Sequence, residues 1–153
     1  MNLPLMMYVF AGAGVFALLL PYFLIYILVT GKHREGLANR LGYYRREIGK
    51  KDKGTRRIWM HAASVGEVAA AVPIIAQLAE DLPEAEIILS TTTEAGQAAA
   101  RATLGMQAIC VYAPVDLLVV VALALRMVQP DALVFVSRDL WWSFIPSAIF
   151  IPK

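Results

Sequence analysis

The chain has 153 residues, 59% of which are hydrophobic, and its mean hydropathy of +0.60 is too high for a purely water-soluble protein. The formal net charge is only +2, and a single cysteine excludes an internal disulfide framework. Part of the chain is therefore predicted to lie in a lipid bilayer.

The amino-terminal segment, residues 1–30, contains no charged side chain. Its apolar run, from Tyr8 to Val29, has about the length of roughly 20 residues that a helix needs to cross a bilayer. No basic stretch precedes the run, and the sequence TGK follows it where a cleaved signal peptide would have a small-residue cleavage site. Residues 1–30 are therefore predicted to form one transmembrane helix that stays attached as an anchor.

The next segment, residues 31–57, is strongly basic. It holds ten of the fourteen Lys and Arg residues and three acids, a net charge of +7, whereas residues 58–153 carry four basic and nine acidic side chains, a net charge of −5. Positive charge beside a membrane helix favours the cytoplasmic side. Two interpretations of this basic segment stay open: a topology signal alone, or a surface that also binds anionic lipid headgroups.

Beyond residue 57, short β-branched or apolar runs alternate with longer alanine-rich ones, which is typical of strand-helix-strand units. Pro83, Gly105 and Pro130 mark the ends of three helices. The pattern predicts strands over 56–62, 85–90, 107–112 and 132–137, and helices over 67–82, 93–105 and 116–129.

The strands are nearly continuous hydrophobic runs, as expected when helices cover both faces of a parallel sheet. A doubly wound α/β domain over 58–153 follows. In such sheets ligands bind outside the carboxyl ends of the strands. The loops predicted to meet at that rim read AASVGE, STTTEAG, APVD and SRDLWW.

The first rim loop places Ser64, Gly66 and Glu67 at the start of a helix. A carboxylate there is favoured by the helix dipole, and Ser64 with Glu67 fits a capping box, so a purely structural role is open. Gly66 would let a ligand approach the backbone. The residues by themselves leave both a structural and a ligand-binding role open.

The second rim loop carries three consecutive hydroxyls, Thr91, Thr92 and Thr93, before a helix. They suit a hydroxyl-rich or anionic ligand, although capping by Thr92 or Thr93 explains them equally well. The chain contains neither a dinucleotide-binding glycine fingerprint nor a P-loop, and no Cys or carboxylate cluster surrounds its two histidines. We expect no metal, no bound cofactor and no nucleic-acid partner.

In order and context these motifs resemble the amino-terminal part of the lipid A Kdo transferases, bacterial inner-membrane enzymes that attach 3-deoxy-D-manno-octulosonic acid (Kdo) to a lipid A precursor. SVGE with the preceding IWxHA is the most specific of them. The motifs are GLANRLGYY (36–44), IWMHAASVGEVAAAVPII (58–75), ILSTTTEAGQAAA (88–100), VYAPVD (111–116) and QPDALVFVSRDLWW (129–142).

The resemblance implies the Rossmann-like acceptor domain of a GT-B glycosyltransferase, preceded by its membrane anchor. It implies that Glu67 is the catalytic base and that CMP-Kdo, the donor, binds a second domain. The residues that it implies line the acceptor cleft are Ser64, Gly66, Thr91, Thr92, Thr93, Gly96 and Asp139. The implied location is the inner membrane, with the domain in the cytoplasm and the basic segment facing anionic lipids and the phosphates of the lipid A precursor.

The chain departs from the family pattern after the fourth strand. Members read Glu-Thr-Glu-Leu-Trp-Pro-Asn where this chain reads SRDLWWS (137–143), so that one acid becomes Ser137 and the other the shorter Asp139. Members are also more than twice as long. We therefore expect a chain without its donor domain, either a truncated, inactive copy or half of an enzyme completed by a separately encoded donor domain.

Two competing functions stay open. A membrane-anchored α/β module that binds a lipid or a partner without catalysis would share the anchor, the basic segment and the fold, and would differ in whether Glu67 matters. A glycosyltransferase of the same fold with another substrate is the second alternative, because fold alone does not determine the substrate.

Overall fold

The computed structural model describes residues 36–44 and 46–136 and, before them, residues 7, 11, 14, 15, 18, 19, 21 and 22. Within these residues strands and helices alternate after one short helical turn. The elements are α1 (Leu37–Arg40), β1 (Arg56–His61), α2 (Val65–Asp81), β2 (Ala85–Thr91), α3 (Glu94–Leu104), β3 (Ile109–Tyr112), α4 (Leu118–Val128) and β4 (Ala132–Phe135).

The four strands form one parallel sheet in the order β3-β2-β1-β4. In β1, Trp59 lies between Ile88 of β2 and Leu133 of β4. Helices α2 and α3 cover one face, and α4 covers the other. Burial on both faces explains why the strands read as continuous apolar runs, and the predicted α/β fold with a parallel sheet is confirmed.

The four strands and three helices predicted from residue 56 onward are all present, and their ends lie within two residues of the predicted ones. Helix α2 begins at Val65 because Ser64 takes the N-cap position. Strand β3 begins at Ile109, later than predicted, because Gly105 ends α3 and the following turn is closed by a hydrogen bond from the Gln107 amide to the Leu104 carbonyl.

Residues 36–44 and 46–48, which the sequence analysis assigned to the basic segment, contribute side chains that pack onto the sheet. Tyr44 and Ile48 are buried in the same core cluster as Trp59. The Tyr44 hydroxyl donates to the Tyr112 carbonyl over 2.9 Å, and burial raises the pKa of this phenol well above its usual value. The Asn39 side-chain oxygen accepts a hydrogen bond from the Tyr112 amide. These residues therefore pack as part of the α/β domain.

Two cations of the basic segment have structural partners at the opposite end of the sheet from the rim. The Arg57 side chain is buried, forms an ion pair with Glu86 and donates to the Gly49 and Val128 carbonyls. The Asp131 carboxylate accepts a hydrogen bond from the Arg57 backbone amide over 2.7 Å and forms an ion pair with Lys51. The hydrogen bond from Lys51 holds the pKa of Asp131 below its usual value. The side chains of Lys51 and Arg57 therefore stabilise the fold.

The predicted anchor, residues 1–30, falls largely outside the described residues. Its described positions, between 7 and 22, are helical and exposed. No helix in the described part of the chain has both the length and the apolar character that crossing a membrane requires.

Candidate functional site

The order of the strands reverses at β1, which lies between β2 and β4. At such a switch point the loops leave in opposite directions and open a crevice at the carboxyl ends of the strands. The loop after β1 is tied to the loop after β2, since the Ala63 carbonyl accepts the amides of Thr92 and Thr93 over 3.2 and 3.3 Å. The loop after β3 joins them, since the Ala113 amide donates to the Thr91 carbonyl over 2.8 Å. Three of the four predicted rim loops therefore meet.

Glu67 lies in the first turn of α2, at the carboxyl end of β1, where a crevice of this kind is expected. Its carboxylate accepts the Ser64 amide over 3.1 Å, and the two residues form a capping box. The structural interpretation of this pair is confirmed in the described conformation. Only one carboxylate oxygen takes part, and the other has no hydrogen bond to the described residues, so it can accept a proton or a hydrogen bond from a ligand at the rim.

Gly66 and Gly96, both predicted to line the site, differ in their surroundings. A Cβ atom added at Gly66 would have no heavy atom within 4 Å, whereas one at Gly96 would lie 2.9 Å from Thr93 Oγ1 and 3.5 Å from the Ala63 carbonyl oxygen. Gly96 is buried and allows α3 to pack against the first rim loop. Gly66 is exposed, and nothing in the described fold requires a glycine there.

We expect Gly66→Ala to leave the fold intact and to stabilise it by about 0.4–1 kcal/mol, because alanine reduces the entropy of the unfolded chain. Gly96→Ala should be less stable than Gly66→Ala by about 1 kcal/mol, since the new methyl group displaces the Thr93 cap. Thermal unfolding of the two variants measures this difference. Equal melting temperatures would show that Gly96 is not needed for packing.

The three threonines of the second rim loop have separate environments. Thr91 is fully buried, and its hydroxyl lies 2.6 Å from Gln97 Oε1. Thr93 is the N-cap of α3 and accepts the Gly96 amide over 3.0 Å, as the capping interpretation predicted. Thr92 Oγ1 is buried and has no hydrogen-bond partner. Of the three hydroxyls, only that of Thr92 is left to be satisfied by another group.

Beneath the rim, a polar network connects β1 and β2. The Ser90 hydroxyl accepts the Trp59 indole N–H over 2.9 Å and lies 3.0 Å from His61 Nδ1 and 3.3 Å from the Met60 carbonyl. These buried groups hydrogen-bond to one another, which holds the ends of the two strands in register beneath the crevice.

The sequence interpretation missed Arg40 as an individual rim residue. Its Nη2 donates to the Thr92 carbonyl over 2.9 Å, and its guanidinium lies 4.6 Å from the centre of the Tyr112 ring. The signal was present in the GLANRLGYY motif, where Arg40 was counted only as one of many basic residues. Asp139 and the SRDLWW loop lie outside the described residues.

A family model described as 3-deoxy-D-manno-octulosonic-acid transferase (kdotransferase) matches residues 35–149. A transferase of that name from Haemophilus influenzae is 35% identical over 114 residues, 74% of this chain and 26% of the relative. Those from Chlamydophila psittaci and Chlamydia pneumoniae are 31% and 30% identical, over 84% and 87% of this chain and 29% and 30% of the relatives. The chain thus spans less than a third of the length of these relatives. No solved structure gives a significant match.

Proposed function

This chain belongs to the 3-deoxy-D-manno-octulosonic-acid transferase family of glycosyltransferases, and we propose that it forms the part of such an enzyme that binds the acceptor and removes its proton. The acceptor is a lipid A precursor and the donor is CMP-Kdo. The observation that carries the proposal is the Glu67 carboxylate, which lies at the carboxyl end of β1 with one oxygen held by the Ser64 amide and the other available.

In the proposed reaction, a sugar hydroxyl oxygen of the acceptor attacks the anomeric carbon of Kdo. The bond from that carbon to the phosphate oxygen of CMP breaks, and CMP leaves with the bonding electrons. Glu67 accepts the hydroxyl proton as general base. The capping hydrogen bond from Ser64 fixes the orientation of the carboxylate before the acceptor arrives, which lowers the entropy cost of reaching the reactive geometry.

The acceptor surface that we propose consists of Ser64, Gly66 and Thr92, with Asp139 as a further contact. The open space above Gly66 supports close approach of a sugar to the α2 backbone. Thr91 and Gly96 are buried and support this surface from beneath, and Thr93 caps α3, because their polar or packing contacts are made within the rim. We therefore propose a smaller contact surface than the cleft lining that the resemblance implied.

We propose that residues 1–30 anchor the protein in the bacterial inner membrane, with the domain in the cytoplasm. The cations that remain exposed in the basic segment would face the anionic lipids; they include Arg46, Lys50, Lys53 and Arg56. Anchoring the domain to a leaflet that contains the acceptor raises the local acceptor concentration.

CMP-Kdo is proposed to bind a donor portion that these 153 residues do not contain, since they match less than a third of each relative. The test is a transfer assay on membranes carrying this chain, with lipid A precursor and CMP-Kdo, with and without a separately expressed donor domain from a relative. The donor domain without this chain is the control. We expect transfer only when both parts are present.

Transfer by the 153-residue chain alone would contradict the need for a donor portion. Absence of transfer in every arm, from a chain shown to be folded, would favour the alternative function, a membrane-anchored module that binds a lipid without catalysis. The capping box favours that alternative, because it explains the presence of Glu67 without chemistry.

A further inference from the structure

Arg40 is held at the carboxyl rim by the rigid packing of its neighbours. Gly36 has a φ of +73° and lies so close to the Tyr112 ring that an added Cβ atom would overlap it, while Asn39 and Tyr44 hydrogen-bond to the Tyr112 backbone. The backbone on both sides of Arg40 is therefore fixed on the end of β3. A side chain presented in this way loses little conformational entropy when it binds a ligand.

The Arg40 guanidinium has no carboxylate partner among the described residues. This distinguishes it from Lys51 and Arg57, which pair with Asp131 and Glu86 at the other end of the sheet. Its contacts are the Thr92 carbonyl and the Tyr112 ring, neither of which neutralises the charge. A half-buried guanidinium without a counterion needs an anion to complete its surroundings.

Unsatisfied polar atoms occur on both members of the Arg40–Thr92 contact. Arg40 Nε and Thr92 Oγ1 are each buried without a hydrogen-bond partner, although the two residues are already joined through the Thr92 carbonyl. Both atoms can donate a hydrogen bond, and both belong to the rim. An anionic oxygen, reached by a small rearrangement of the two side chains, could accept from both.

We propose that Arg40 and Thr92 form a binding site for a phosphate group of the acceptor, adjacent to the sugar whose hydroxyl reacts at Glu67. The inference rests on the proposed function, and it extends that function by assigning a specificity-determining pair outside the SVGE motif. The planar guanidinium supplies charge-assisted hydrogen bonds that match phosphate geometry, and the Thr92 hydroxyl supplies one more.

The test measures binding of lipid A precursor to the 153-residue chain in neutral phosphatidylcholine nanodiscs, using the phosphorylated precursor and a dephosphorylated analogue. Arg40→Gln should weaken binding of the phosphorylated precursor roughly tenfold or more, and leave binding of the analogue unchanged. The affinity of Arg40→Lys for the phosphorylated precursor should lie between those of the wild type and Arg40→Gln, because lysine keeps the charge without the planar guanidinium. Arg126→Gln, which removes an exposed arginine at the other end of the domain, is the matched control.

Two results would overturn the inference: equal weakening of both ligands by Arg40→Gln, or an effect no larger than that of Arg126→Gln. Near-ultraviolet circular dichroism of each variant checks the fold, and Arg40→Lys keeps the test valid if Arg40→Gln unfolds. Glu67→Gln should bind both ligands as the wild type does, so its effect on transfer tests the proposed function separately from the phosphate site.

Discussion

Glu67→Gln should abolish Kdo transfer by the complemented enzyme while leaving binding of the lipid acceptor nearly unchanged. General-base catalysis contributes about 10²–10⁴-fold to a rate, and glutamine cannot accept the proton. The glutamine side-chain oxygen can still accept the Ser64 amide, so the capping arrangement survives. The measurement is the transfer rate from CMP-Kdo to lipid A precursor in the presence of a donor domain.

Glu94→Gln is the matched control, because Glu94 is the corresponding first-turn carboxylate of α3. Both substitutions remove a favourable interaction with a helix dipole, worth about 0.3–1 kcal/mol at an exposed site. If Glu67 served only as a cap, the two variants would lose similar stability and neither would lose transfer. That result would replace the catalytic assignment by the binding-module alternative.

Arg57→Ala should lower the free energy of unfolding by about 3 kcal/mol. The substitution leaves the Gly49 and Val128 carbonyls without their donor and Glu86 without its cation. The Glu86 side chain is 39% exposed and can be partly rehydrated, which limits the loss. Denaturant unfolding of the solubilised chain, followed by far-ultraviolet circular dichroism, measures it.

The neighbouring Arg56 provides the control for charge. It is exposed, and Arg56→Ala removes the same formal charge from the same strand, so its effect should stay within about 0.5 kcal/mol. Comparable losses in the two variants would mean that the basic character of the segment, rather than the contacts of Arg57, stabilises the domain. Such a result would also mean that Arg57 is available to bind lipid headgroups.

Much of the architecture could be predicted from local patterns. Apolar runs bounded by Pro83, Gly105 and Pro130 predicted every strand and long helix of the described α/β domain, because hydrophobic periodicity and helix termination depend on residues close in sequence. The capping box of Ser64 and Glu67 is similarly local, because its two members are only three positions apart. The meeting of the loops at one rim could be predicted because the carboxyl ends of parallel strands lie at the same edge of a sheet.

The sequence by itself determined the α/β class, the rim loops and the position of Glu67 at the start of a helix. Only the tertiary structure decided that Arg57 is a buried structural cation, that Thr91 faces the interior and that Arg40 lies at the rim. The contacts that decide these roles, such as those of the Arg57 guanidinium with the Val128 carbonyl and of the Arg40 guanidinium with the Thr92 carbonyl, join residues 71 and 52 positions apart. Side chains of the same type in one basic segment differ in role because folding brings the Glu86 carboxylate to Arg57 and the Thr92 carbonyl to Arg40, and no local sequence pattern specifies these distant partners.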